Sequence, residues 1–237
     1  MRVDEGRMRL RMTSHPVADP GGGLSRILSV GPMLRNTFVH PPSHQVGYLH
    51  ASRADLLRLG ALFRVAATSS HSAIYIPVPP GAQPLTLAGG DTHPLPVLLA
   101  REDTGLRLSD WPDLRHRMRR ASAPLRVNAP AARSPDRPDD VRRRADHRPA
   151  RFAEHAGTIV ITARAELLFW IGDWLTAAGD RVARDPHVHR HGESFLGDMV
   201  GFFDPKGTDM PMHAFCVVAV EPIFHQARWR GQGTPSG

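Results

Sequence analysis

Two stretches far apart in this chain follow the same course, and that course commits the chain to mixing helices with sheets. In the first, Gly47-Tyr48-Leu49-His50-Ala51 leads through Ser52 into Arg53-Ala54-Asp55-Leu56-Leu57. In the second, Thr158-Ile159-Val160-Ile161 leads through Thr162 and Ala163 into Arg164-Ala165-Glu166-Leu167-Leu168. The two lie roughly 110–120 residues apart, too long a period for stacked solenoid repeats. Each is a short β-rich run that turns, at a Ser or Thr, into Arg-Ala-acid-Leu-Leu. Ser52 with Asp55 fits a capping box, in which the hydroxyl takes a backbone N–H left unpaired by the first helical turn; Thr162 caps from one residue further out. Beyond the caps, Leu56, Leu59, Phe63 and Ala66 recur at helical spacing, with Leu62 beside them. Leu167, Leu168, Ile171, Trp174, Leu175 and Ala178 form a second stripe opposite Arg164, Asp173 and Thr176, flanked by Phe169 and Trp170 as core or contact residues, and Gly179-Asp180 supplies a stop.

A strand is expected after each helix, Ala73–Val78 in one case and His187–His191 in the other. Two apolar strands come next, Leu95–Ala100 and Ala214–Val220, each followed by acid at Glu102-Asp103 or Glu221. The fold class is therefore α+β, with two β-α-β-β units in the same order. They are either an internal duplication or two ordinary stretches that coincide over five residues. A single helix covers only one face of a sheet, so each unit is expected as a two-layer sandwich; the alternative is a shared sheet with both helices on one face. Pro77 and Pro96 suit strand starts or edges, because proline has no N–H to give a ladder.

The rest of the chain divides around these units. Residues 1–32 mix Arg, Met and Gly, include Gly21-Gly22-Gly23, and read as a disordered tail, or as upstream sequence if the chain starts at Met33. The first unit spans 43–120 and ends in a short basic helix, from Ser109-Asp110-Trp111-Pro112 to Arg119-Arg120, whose cationic end suits a helix carboxyl terminus. Residues 121–151 carry Pro124, Pro130, Pro135, Pro138 and Pro149 around Arg142-Arg143-Arg144 and are expected as a disordered Arg/Pro-rich linker. The second unit spans 156–226, and 227–237 is a second tail.

The length of 237 residues, with 41% hydrophobic and 22% charged, allows a real core and excludes collagen-like and disulfide-scaffold classes. Cys216 is the single cysteine, expected as a buried, inert thiol. No run approaches the roughly 18 apolar residues of a membrane span, and no secretory signal is visible, so a cytoplasmic protein without a membrane span is expected. The net charge of +7 invites nucleic acid as a partner through the linker arginines. Every basic residue except Lys206 is arginine, however, which is the skew that codon bias produces. A solvated spacer is the plainer reading.

The sharpest chemical feature is Asp185-Pro186-His187-Val188-His189-Arg190-His191-Gly192-Glu193. On a strand, the period of two puts His187, His189 and His191 on one face, where neutral imidazoles hold zinc, iron, nickel or copper. Glu193 adds a carboxylate, and His213 or His225 arrives from the following strands. His-X-His followed by Glu resembles the first metal motif of cupins. That resemblance implies a β-barrel with His187, His189, Glu193 and His213 as ligands, Gly179 as leading glycine and Pro205-Lys206-Gly207 opening the second motif. It makes a metal-dependent oxygenase or hydrolase the rival reading. The plain alternative is the exposed face of a strand, since the matching strand of the first unit carries Ala73, Tyr75 and Pro77. No phosphate loop, nucleophile elbow around Ser194 or His-Glu-X-X-His helix is present.

The second unit is also similar to small bacterial immunity proteins of the polymorphic-toxin type. Thr158–Thr162, the helix through Ala178, His187-Val188-His189 and Ala214–Glu221 carry that similarity. It implies a non-enzymatic protein that binds and blocks another protein. No cofactor is expected on that reading, and no partner-binding residue is identified by it.

Overall fold

The computed structural model describes residues 8–17, 23–43, 46–80, 82, 85–87, 90–118, 122–133, 149–198 and 214–221. Met8 to Met12 alternates apolar side chains with arginine, and this period of two makes a strand of a stretch expected as tail. Strand β1 (Arg9–Pro16) buries Leu10 and Met12 on one face and exposes Arg9 and Arg11 on the other. It pairs antiparallel with β2 (Arg26–Gly31), which buries Ile27, Leu28 and Val30. The expectation of disorder over 1–32 is thus corrected for these two strands, which build part of the core.

The repeated course then begins one strand earlier than the sequence pattern suggests. A hairpin of β3 (Thr37–Ser43) and β4 (Val46–Ala51) feeds α1 (Arg53–Thr68), whose capping Ser52 hydroxyl accepts the Asp55 N–H. Then come β5 (Ser72–Ile76), a small β6 (Leu85–Leu87) and β7 (Gly90–Thr92) hairpin, and β8 (Val97–Arg101), with Pro77 and Pro96 just outside strand ends. The basic helix α2 (Trp111–Arg117) follows, and then β9 (Ala123–Asn128), a strand within the stretch expected as linker. The Arg142-Arg143-Arg144 run lies outside the described residues. The second half repeats the order: hairpin β10 (Arg151–His155) and β11 (Thr158–Ala163), helix α3 (Ala165–Val182), a short α4 (Pro186–His191), then β12 (Glu193–Asp198) and β13 (Ala214–Val220).

The two halves do not form separate sandwiches. The seven-stranded sheet runs β10-β11-β8-β5-β2-β1-β9, and the four-stranded sheet runs β12-β13-β4-β3. Each half's hairpin pairs in parallel with the other half's last strand: β11 with β8, Ile161 opposite Leu99, and β13 with β4, Val217 opposite Leu49. Each last strand then pairs antiparallel with its own predecessor, β5 or β12. A hairpin standing alone leaves an open ladder along its second strand, and the exchanged strand closes it. The halves are therefore interlocked, which corrects the expectation of two independent two-layer units.

The two long helices cross at glycines. A Cβ on Gly60 of α1 would lie 2.5 Å from the Gly172 carbonyl oxygen and in collision with Thr176 Oγ1. One on Gly172 of α3 would lie 2.6 Å from the Gly60 carbonyl oxygen and 2.8 Å from Arg64 Cγ. The correspondence is reciprocal: each glycine faces the residue four positions beyond the other. It aligns Arg53 with Ala165, because α3 starts after Arg164 and carries no side-chain cap, so the shared Arg-Ala-acid-Leu-Leu motif is one residue out of step with the structure. Gly179 is not a stop either. It lies inside α3, where an added Cβ would meet Leu57 Cδ2 at 3.1 Å.

One core joins both helices to the inner faces of both sheets, with Phe169, Trp170 and Trp174 packed partly buried against it. Phe152 and Phe215, from different sheets, meet with ring centroids 5.4 Å apart. A small cavity of about 30 Å³ lies beneath α1, lined only by apolar side chains, among them Val39, Leu59, Phe63 and Phe215. A second cluster covers the outer face of the large sheet, where fully buried Trp111 of α2 packs with Ile27, Leu98 and Val160. Cys216 is half-buried rather than buried, because it alternates with the inward Phe215 and Val217. No described helix is long and apolar enough to cross a membrane.

Candidate functional site

The histidine cluster changes character in three dimensions, because 186–191 is helix rather than strand. Asp185 caps α4, its Oδ1 accepting the His187 N–H at 2.8 Å, and this bond holds the Asp185 carboxyl below its usual range. Pro186 sits in the first turn, and Gly192 closes the helix in the left-handed region at φ 82°. Buried Val188 anchors it. With 3.6 residues per turn, His187 and His191 share a face and their tilted rings meet with centroids 4.3 Å apart, while His189 turns away to lie 3.7 Å from Glu221 Oε2. Glu193 is exposed at the start of β12, opposite Val220. The expectation that three histidines share one face is thereby corrected. His213 and His225 lie outside the described residues. Among the described residues, no three His, Cys, Asp or Glu side chains come close enough to hold one metal ion.

The buried pair Arg64 and Asp173 is tied into the helix crossing. Arg64, 3% exposed, donates from Nη1 to Thr176 Oγ1 at 2.7 Å and the Gly172 carbonyl at 3.0 Å, and from Nε to the Pro130 carbonyl at 2.9 Å. Its Nη1 stands 3.5 Å from Asp173 Oδ1, which also accepts the Arg133 N–H at 3.3 Å. Burial raises the Asp173 pKa and lowers that of Arg64, each opposed by the other's charge. This network fastens residues 130–133 across the two helices, and every group in it has a structural partner.

The other end of the large sheet differs. β9 is its last strand, and among the described residues none pairs with its outer edge. On the outer face, Arg11 stands directly opposite Arg126, with Arg9 opposite Asn128 one step along. All four side chains are exposed. The Ala129 N–H donates to the Met8 carbonyl, so by the antiparallel alternation Arg11 and Arg126 form a non-hydrogen-bonded pair, the kind with the closest side chains. Arg9, Arg11 and Arg126 form no ion pair among the described residues. Next to Arg11 on β2 is Gly31, which adds no side chain to the face. Two like charges directly opposed on a sheet are destabilising. The arrangement concentrates positive charge on a flat face beside an open strand edge, and an anionic group relieves it.

The sequence alone does not single out the arginine face, because the stretches around it read as tail and linker. The signal was present in the strict alternation of Met8-Arg9-Leu10-Arg11-Met12. The helical signal at the histidines was also present, in Asp185-Pro186 before the run and Gly192 after it. Comparison with protein-family models, curated proteins and solved structures gives no match to this chain.

Proposed function

We propose that this chain is a non-enzymatic, cytoplasmic protein-binding protein of the immunity-like kind, and that it holds an acidic protein partner on the Arg9, Arg11 and Arg126 face. The observation that carries the reading is the opposition of Arg11 and Arg126, without an ion pair among the described residues, beside a strand edge that none of the described residues pairs with. A protein under no demand to bind gains nothing from that opposition. Edge protection accounts for Pro124 and Arg126 on the last strand, but not for Arg9 and Arg11 on the strand inside it. The interlocked halves support, in the same spirit, a fold descended from one duplicated unit with a preceding hairpin strand.

An acidic polypeptide is favoured over nucleic acid because, among the described residues, the arginine face presents an unpaired backbone edge and no exposed aromatic for base stacking; Tyr75 is half-buried, its ring tilted against that of Trp111. The test measures binding of poly-glutamate and of a single-stranded oligonucleotide by wild type, Arg126→Glu and Arg107→Glu. Arg107 is an exposed arginine elsewhere, so the two variants have equal net charge. The expected result is poly-glutamate binding weakened about tenfold by Arg126→Glu and little changed by Arg107→Glu. Equal effects would make net charge the cause and overturn the reading. Preference for the oligonucleotide, with its salt slope reduced in Arg126→Glu, would replace the protein partner with nucleic acid.

A further inference from the structure

We infer that the partner contributes an extended acidic segment that adds an eighth strand along β9. The inference rests on the arginine face being the binding surface, and it specifies how that surface is used. Leu125 and Val127 of β9, and Ala129 just beyond it, lie on the side bonded to β1, as the Ala129 bond to Met8 fixes. Arg126 and Asn128 therefore turn their N–H and C=O groups outward, while Pro124, in the same row, has no N–H to offer. Backbone recognition is thus confined to the Arg126–Asn128 end, where an added strand finds two donors and two acceptors.

The side chains agree with the backbone. A residue of the added strand opposite Arg126 lies on the outer face, next to that guanidinium. Arg11 stands one further strand inward, and strands are about 4.8 Å apart, within the span of an arginine stem. Alternate positions of the added segment therefore face arginine, and a carboxylate at such a position relieves the opposed pair. A second copy of this chain fits the edge poorly. Antiparallel pairing of β9 with β9 about a two-fold axis puts both Arg126 side chains on one face, directly opposite each other or, where Arg126 pairs with Asn128, on the diagonal, adding repulsion of the kind the sheet already carries. The occupant is a β-strand from a different, acidic protein, held by main-chain bonds with charge selecting its sequence.

The test uses the full chain and an end-blocked eight-residue peptide alternating Glu with Val. Three perturbations are applied: Arg126→Glu, Asn128→Pro, and the same peptide N-methylated along one edge. Asn128→Pro removes an outward N–H and leaves the β1 ladder intact. The N-methylated peptide keeps its charge but cannot pair along that edge, so it guards against misfolding of the proline variant. The expected result is binding to wild type, weakened about tenfold or more by each perturbation. Binding lost with Arg126→Glu but kept by Asn128→Pro and by the N-methylated peptide overturns strand addition while sparing the acidic-partner reading. Failure of the peptide where poly-glutamate still binds does the same. Binding unaffected by Arg126→Glu overturns both.

Discussion

Replacing Gly60 by Ala asks whether the helix crossing is as close as the structure describes. On a solvent-exposed helix the change gains about 1 kcal/mol, because glycine is the poorer helix former by that much. Here the added Cβ would lie 2.5 Å from the Gly172 carbonyl oxygen and collide with Thr176 Oγ1. Neither neighbour yields easily. The carbonyl is backbone, and the Thr176 hydroxyl is held by Arg64 at 2.7 Å and by the Gly172 carbonyl at 2.9 Å. Restoring ordinary contact requires α3 to retreat by about 1 Å, and gaps of that size forfeit a quarter to a half of each dispersion contact they open. Overpacking of this kind costs about 1–3 kcal/mol, occasionally more, and the retreat also loosens Arg64 from its acceptors. We expect a net loss of about 2 kcal/mol, or about 4–8 °C in Tm for a chain of this size, by calorimetry. A rise in Tm would refute the close crossing and the alignment of Arg53 with Ala165 derived from it.

Two further outcomes follow from the same geometry. Asp173 has its pKa raised in the fold, chiefly by burial, so the native state holds its proton more tightly than the unfolded chain. Stability from this group is therefore present below its unfolded pKa and is lost as pH rises through the folded value. The stability of wild type relative to Asp173→Asn should fall as pH rises out of the acid range in urea titrations; a relative stability that rises with pH contradicts the assigned direction. Elemental analysis of tag-free protein should show no stoichiometric zinc, iron, nickel or copper, because α4 aligns only His187 with His191. Near-stoichiometric metal lost in His187→Ala would instead restore the metal-dependent rival.

The strands written as continuous apolar runs were legible from local sequence. Ala214–Val220 matches its expected span, and Leu95–Ala100 is displaced by only a residue or two, because β-branched and apolar runs between proline and acid leave few alternatives. The caps were partly legible: Ser52 accepts the Asp55 N–H as the spacing implies, but Thr162 remains inside β11. What local pattern could not supply was the exchange of last strands between halves, since pairing partners lie far apart in sequence and each strand carries the same alternation whichever neighbour it takes. Composition misled in two places. Arginine-rich stretches looked too polar for a core, although Leu10 and Met12 bury one face of β1 while its arginines face solvent. Histidines spaced by two suggested a strand, although the Asp-Pro start and Gly stop favoured the helix that forms.

The claim on which the functional account turns is that the β1–β9 end of the large sheet is the binding surface. A titration of isotope-labelled full-length protein with poly-glutamate, followed by amide chemical shifts, tests it most directly. The account predicts shifts concentrated at residues 9–13 and 123–128, reduced in Arg126→Glu. Shifts centred instead on the α2 arginines Arg115 and Arg117 or on the α4 histidines, or none at saturating poly-glutamate, would contradict it.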